Sequence, residues 1–157
     1  MVFKASLDNT SKFITLFVTG FLVIIIAGQV IVSGFAIAIC VAAYLFSFLF
    51  RPINYKVNNN QLIVHRLLKD VIIPNNQIKN IELLDSQKLS TTMRLFGVGG
   101  VFGYFGIYKN SAIGKMTWYA TRHNNAVLVQ TASGKNIILT PDEPTAFLTA
   151  MTNRAKI

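Results

Sequence analysis

Twelve mostly polar residues open the chain, and from residue 13 to residue 50 it carries no charged side chain. A hydrocarbon core of about 30 Å takes roughly 20 apolar residues as a helix, so this run is too long for one crossing and suits two. Gly28, Gln29, Ser33 and Gly34 are the small and polar residues near its middle, where a turn belongs. The pattern predicts a transmembrane helical hairpin over residues 13–50. Asp8, Asn9 and Ser11 are candidates to cap its first helix, because each side chain can accept a free backbone N–H. Lys4 and Lys12 precede the hairpin, Arg51 and Lys56 follow it, and the turn is uncharged. Lys and Arg stay on the cytoplasmic side, so both termini are expected there, as in an integral protein of an inner or plasma membrane. A cleaved signal peptide fits less well: its apolar region spans only about 7–15 residues, with a soluble chain after it.

Beyond Pro52, which cannot continue a helix, the pattern changes to short apolar–polar alternation. Strands are predicted over residues 53–58, 61–68 and 71–73. Turns at Asn58–Asn60 and Lys69-Asp70 separate them, since asparagine tolerates left-handed backbone and bonds its own turn. Residues 77–84 (QIKNIELL) read as a further strand for their β-branched content. Residues 93–110, MRLFGVGGVFGYFGIYKN, interleave five glycines with aromatics and are uncharged between Arg94 and Lys109. That is too short and too rich in glycine for a membrane helix, and it predicts a strongly bent strand pair. Three more strands follow over residues 115–121, 126–131 and 136–139, with hairpin turns at Asn124-Asn125 and residues 132–135. Thr140 and Glu143 then form a capping box with Pro141 at the first helical position. The helix is expected to run to Arg154, with Phe147, Leu148, Ala150 and Met151 on its buried side.

The chain thus divides into a tail over residues 1–12, the hairpin over 13–50 and a domain over 52–157. The domain has about 105 residues, enough for one compact unit. It resembles the bacterial PH domain families. The likeness rests on Arg94-x-Phe96-Gly97, Phe102-Gly103-Tyr104-Phe105-Gly106, Thr117-x-Tyr119-Ala120-Thr121, and Gly134-Lys135 ahead of Leu139-Thr140-Pro141-Asp142 with Phe147. The resemblance covers residues 52–154. It implies a pleckstrin-homology-like fold: a mainly-β, partly open barrel of about seven strands capped by a C-terminal α-helix. It implies no ligand.

Charge adds a neighbour to this picture. The chain has a formal charge of +9, of which residues 51–157 carry thirteen basic against five acidic side chains. A domain tethered at a bilayer already faces an anionic surface, worth about 1 kcal/mol per nearby basic side chain. Membrane surface is therefore favoured over nucleic acid. Arg94, Lys109, Lys115 and Arg122 bracket the glycine–aromatic segment and are the candidates for contact with anionic lipid headgroups. The Phe and Tyr side chains between them either lie at the lipid interface with these cations or fill the core, and the core is favoured, where such rings serve a small domain best.

Catalytic chemistry finds no support. His65 and His123 lie far apart without Cys, Asp or Glu at ligand spacing, so neither a metal nor a cofactor is expected. The serines lack a GxSxG context, and the glycines match neither GxGxxG nor a phosphate-binding loop. Cys40, the single cysteine, lies within the second helix and reads as a packing residue. Two functions are left open. One is a membrane-anchored, non-enzymatic binding or scaffolding module for a protein partner or anionic lipid. The other is a small accessory subunit of a larger membrane complex. The small residues Gly20, Gly28, Gly34, Ala36, Ala38, Ala42 and Ala43 motivate the second, since they let helices approach closely.

Overall fold

Val2–Lys4 form a strand, β1, where the sequence predicted a polar tail. The computed structural model describes residues 1–27 and 34–155. The partner of β1 comes from beyond the helices: Val2, Phe3 and Lys4 lie opposite Lys56, Tyr55 and Asn54 of β2 (Pro52–Val57). The chain leaves β1, runs through α1 (Asn9–Ala27) and α2 (Gly34–Leu49), and returns to the same sheet. Asp8 caps α1. Its carboxylate accepts the Ser11 N–H at 2.7 Å, and its carbonyl accepts the Lys12 N–H at 3.0 Å. α1 has 19 residues and a mean hydropathy of 2.1, with 6% of its apolar stretch buried, so it is long and apolar enough to cross a membrane. α2, at 16 residues, is shorter. At 1.5 Å per residue the two measure roughly 28 and 24 Å. The turn expected around Gly28, Gln29 and Ser33 lies outside the described residues.

β2, β3 (Gln61–Arg66) and β4 (Val71–Pro74) follow as predicted, giving an antiparallel sheet in the order β1-β2-β3-β4. The asparagine turn is held from outside itself: the Asn75 amide donates to the carbonyls of Asn58 at 3.2 Å and Asn59 at 3.1 Å. The second sheet contains β5 (Ile78–Leu83), β6 (Met93–Gly100), β7 (Gly103–Asn110), β8 (Gly114–Ala120), β9 (Val127–Thr131) and β10 (Asn136–Leu139). Its order is β5-β9-β10-β8-β7-β6. The described residues thus form ten strands in sheets of four and six, where about seven in one open barrel were expected. Asn124-Asn125 is also not a hairpin turn. β10 lies between β8 and β9 and runs parallel to β8, so the chain crosses over from β8 to β9.

Side-chain alternation with period 2 gives the larger sheet two buried faces. Val127, Val129, Ile137 and Leu139 pack against Tyr55, Val57, Leu62 and Val64 of the smaller sheet, with Phe147 and Met151 of α3 (Pro144–Ala155). Leu128 and Ile138 point the other way and join Tyr104, Tyr108, Met116 and Trp118. Each large apolar side chain so buried contributes roughly 1.5–3 kcal/mol.

α3 starts three residues later than the expected Pro141. Phe147 N–H bonds the Glu143 carbonyl at 3.0 Å, which puts Pro144, not Pro141, in the first turn. Thr140 does not cap it. The Thr140 side chain is buried and its hydroxyl accepts the Thr121 N–H at 2.9 Å. Tertiary partners have taken the groups that a local capping box needs.

Candidate functional site

The glycine–aromatic segment folds as the predicted bent hairpin, β6 against β7. Gly97, Gly100, Gly103 and Gly106 have φ of +117°, +116°, +123° and +132°, a region that side chains with a Cβ rarely enter. Gly97 faces Gly106 across the pair, which lets the two backbones close together. Phe102, Tyr104, Phe105 and Tyr108 are buried; Tyr104 and Tyr108 join the core with Trp118, as assigned, while Phe102 packs on Tyr44 and Phe48 of α2. Phe96 is the exception. It is 71% exposed, beside Met93 at 69% and Leu95 at 54%. The register slips between Arg94 and Phe96, so a bulge at Leu95 breaks the alternation that would have turned one of these inward. β6 also ends the sheet, with β7 as its one strand neighbour. Among the described residues this edge is unpaired, and it carries three exposed apolar side chains beside Arg94.

The four cations singled out by sequence fall into two places. Lys109 pairs with Met93 on one side and with Lys115 on the other, so Arg94, Lys109 and Lys115 share one end of β6, β7 and β8. Arg122 lies past the other end of β8, seven residues from Lys115, or roughly 23 Å of extended strand. Its guanidinium is occupied: it donates to the Ser6 carbonyl at 2.8 Å and to the Asp142 carboxylate. Two other arginines lie where the helices meet the sheets. The Arg51 guanidinium stands 4.6 Å from the Phe48 ring centre and 5.6 Å from that of Phe102. That of Arg66 stands 5.3 Å from Phe50 and 5.6 Å from Tyr119. The sequence held no signal that Arg122 and Asp142 would meet, since the bond depends on tertiary approach.

Asp142 is the centre of that junction. Burial pushes its carboxyl pKa up, but the Ser6 hydroxyl and N–H, with Arg122 and Lys4, more than offset this and hold it below its ordinary value. The Ser6 bonds measure 2.6 and 3.0 Å. A carboxylate with a lowered folded pKa stabilises fully above the ordinary value and loses that contribution as pH falls through the folded one. Asp142→Asn is therefore expected to destabilise the protein by about 1–3 kcal/mol at neutral pH. Thermal melts of the two proteins should converge as pH falls below about 4 and through the lowered folded pKa. A gap independent of pH would rule out the charge as its source.

Neither histidine joins a metal cluster: among the described residues no group of three His, Cys, Asp or Glu is placed to hold an ion. His65 bonds Asp70 at 2.7 Å in the β3–β4 turn. His123 lies over Tyr104, ring centres 4.0 Å apart, and burial lowers its pKa. Tyr55 is a structural tie. Its hydroxyl donates to the Tyr119 carbonyl at 2.6 Å and accepts the Thr140 N–H at 3.2 Å, and burial pushes its pKa up to about 12.

What remains is a two-sheet β domain with a C-terminal helix, an apolar and basic open edge, and the N-terminal helix pair docked on it. No curated protein and no solved structure matches the chain. The family model described as Bacterial PH domain matches residues 53–155, β2 to the end of α3. PH-like domains are in general non-catalytic binding or scaffolding modules, and the chain belongs to the bacterial PH domain family.

Proposed function

We propose that the chain is a membrane-anchored, non-enzymatic PH-like module that holds a protein partner along β6 at the cytoplasmic face. The observation that carries this reading is the edge of β6: Met93, Leu95 and Phe96 exposed beside Arg94, with Lys109 and Lys115 on the next two strands. An added strand gains main-chain hydrogen bonds from such an edge, and pockets between the side chains select its sequence. The cations favour acidic residues in that strand. Anchoring is supported by the length and hydropathy of α1 and by basic residues on both flanks of the helices.

Because β1 lies before the helices and completes the smaller sheet, the full chain is the right material for a test. A photo-crosslinking residue at Phe96 is expected to give a discrete adduct with one protein in membranes, and one at Asn59 none. Equal adducts at both positions would remove the β6 edge as the docking site. Anionic lipid is the other ligand consistent with the cations of these strands, Lys109 and Lys115 side by side and Arg94 on the other face. Nanodisc-held chain that tethers phosphatidylglycerol vesicles, and loses this with Arg94→Glu and Lys109→Glu, would put lipid in the partner's place.

An accessory-subunit role draws support from Gly20 and Gly34, where a Cβ would meet none of the described residues within 4 Å. Those helix surfaces leave room for a close-packed partner helix. Copurification lost on Gly20→Leu but kept in Phe96→Asp would favour that reading over docking at β6.

A further inference from the structure

The turn between β6 and β7, residues 99–103, is held against the sheet-proximal ends of the helix pair, from Ser11 to Val18 on α1 and from Phe48 to Tyr44 on α2. The Ser11 hydroxyl donates to the Gly100 carbonyl at 2.6 Å, and the Phe102 N–H donates to the Thr15 hydroxyl at 2.9 Å. Gly100 faces Ile14 so closely that a Cβ there would stand 2.6 Å from Ile14 Cδ1. The Phe102 ring meets Tyr44 and Phe48 edge-on, at 5.1 and 5.3 Å between ring centres. Val101 reaches furthest. It shares an apolar cleft of about 290 Å³ with Val18, Leu22, Cys40 and Tyr44.

Lys12 is the last charge of α1 before the apolar run. Thr15 and Val18 lie roughly 5 and 9 Å beyond it along the helix axis. A turn bonded to Thr15 and packed on Val18 therefore sits at the depth of lipid acyl chains if α1 crosses a bilayer. Non-helical backbone is tolerated at that depth where protein groups satisfy it. Ser11 and Thr15 supply such groups. The turn sequence Gly99-Gly100-Val101-Phe102-Gly103 carries no charge; Lys109 lies at the far end of the hairpin, while the Arg94 guanidinium folds back on Gly99 and that of Arg51 stands 5.6 Å from the Phe102 ring, so cations flank the base of the turn and Val101, in the cleft with Val18 and Leu22, lies beyond them.

We propose that the β6–β7 turn is a third membrane-inserted element, with Val101 in the acyl region of the cytoplasmic leaflet beside α1 and α2. This rests on the reading that the helix pair is embedded in the membrane. It assigns the lipid bilayer as the partner of the tip, and it fixes the domain's orientation through three points of entry rather than a flexible stalk. The glycine-rich hairpin is then a wedge, and its open β6 edge is presented to the cytoplasm in one direction.

The test uses the full chain in nanodiscs, with Cys40→Ser and single cysteines at Val101, Ile24 or Asn59 carrying an environment-sensitive fluorophore. Spin-labelled acyl chains should quench the Val101 and Ile24 labels, and aqueous iodide should quench the Asn59 label alone. A Val101 label open to iodide while the Ile24 label stays lipid-quenched overturns the inference. An Ile24 label open to iodide overturns the anchoring reading itself. Because a fluorophore at Val101 can push the tip out, the unsubstituted chain is also exposed to lipids with a photoreactive diazirine in the acyl chain. Adducts are expected on residues 99–103 as well as on α1. Adducts confined to the helices overturn the proposal whatever the label reports.

Discussion

Gly106→Ala is expected to undo the β6–β7 hairpin. A Cβ at position 106 would stand 2.3 Å from the Phe96 carbonyl oxygen and 2.7 Å from Gly97 Cα. Both are backbone atoms of the facing strand, so no side-chain rotation relieves the contact. The φ of +132° adds strain of about 1–3 kcal/mol for any residue with a Cβ. Strain and clash together put the substitution among the most damaging single changes, about 4 kcal/mol or more. Gly134→Ala is the control. Gly134 also has a positive φ, +77°, but nothing lies within 4 Å of its Cβ, so only the conformational cost of about 1 kcal/mol applies. The readout is intrinsic: Trp118 is the single tryptophan and pairs with Gly106 across β7 and β8. Urea unfolding of the detergent-solubilised chain, followed by Trp118 fluorescence, should show a large fall in midpoint for Gly106→Ala and a small one for Gly134→Ala. Equal shifts would mean that the strands do not approach at this point.

The same hairpin shows how much the sequence reveals. Glycines among aromatics indicate close backbone approach, and the rings at 102, 104, 105 and 108 are buried, Tyr104 and Tyr108 in the core beside Trp118 and Phe102 against α2. The β2–β3 and β3–β4 turns were legible for a similar reason: asparagine runs and Lys69-Asp70 act within a few residues. What stayed hidden is non-local. Val2–Lys4 become a strand through β2, which arrives only after both helices, so three residues without a turn signal gave nothing to read. The start of α3 had two prolines to choose from. Thr140 was drawn to Thr121 and Asp142 to Ser6 and Arg122, which leaves Pro144 to open the helix. The four cations looked like one group because they bracket one segment. Strand register keeps Lys109 and Lys115 side by side and turns Arg94 to the other face, opposite Tyr108, and the length of β8 carries Arg122 to the opposite end. The open edge at Met93, Leu95 and Phe96 depends on a one-residue slip that no composition records.

The contact that joins the hidden strand to the capping helix predicts the other large effect. Phe147 of α3 is fully buried, and its ring meets Phe3 of β1 edge-on at 5.2 Å and Tyr55 of β2 at 6.2 Å between ring centres. Phe147→Ala removes the ring from a site bounded by a helix and two strands, which cannot collapse without moving all three. The expected cost is about 3–5 kcal/mol. That is a large share of the roughly 5–15 kcal/mol that holds a typical domain together. Thr152, exposed on the same helix, serves as a control, and Thr152→Ala should change stability by no more than about 0.5 kcal/mol. The loss should also be directional. Phe3 is partly buried and loses its edge-to-face partner, so β1 should open before the rest of the sheet. Hydrogen exchange of the chain in nanodiscs would then rise first at residues 2–4 and in α3, with β9 and β10 still protected. Uniform exchange across both sheets would mean that β1 and α3 do not form a separable unit, and that the N-terminal strand is held by its β2 hydrogen bonds rather than by Phe147.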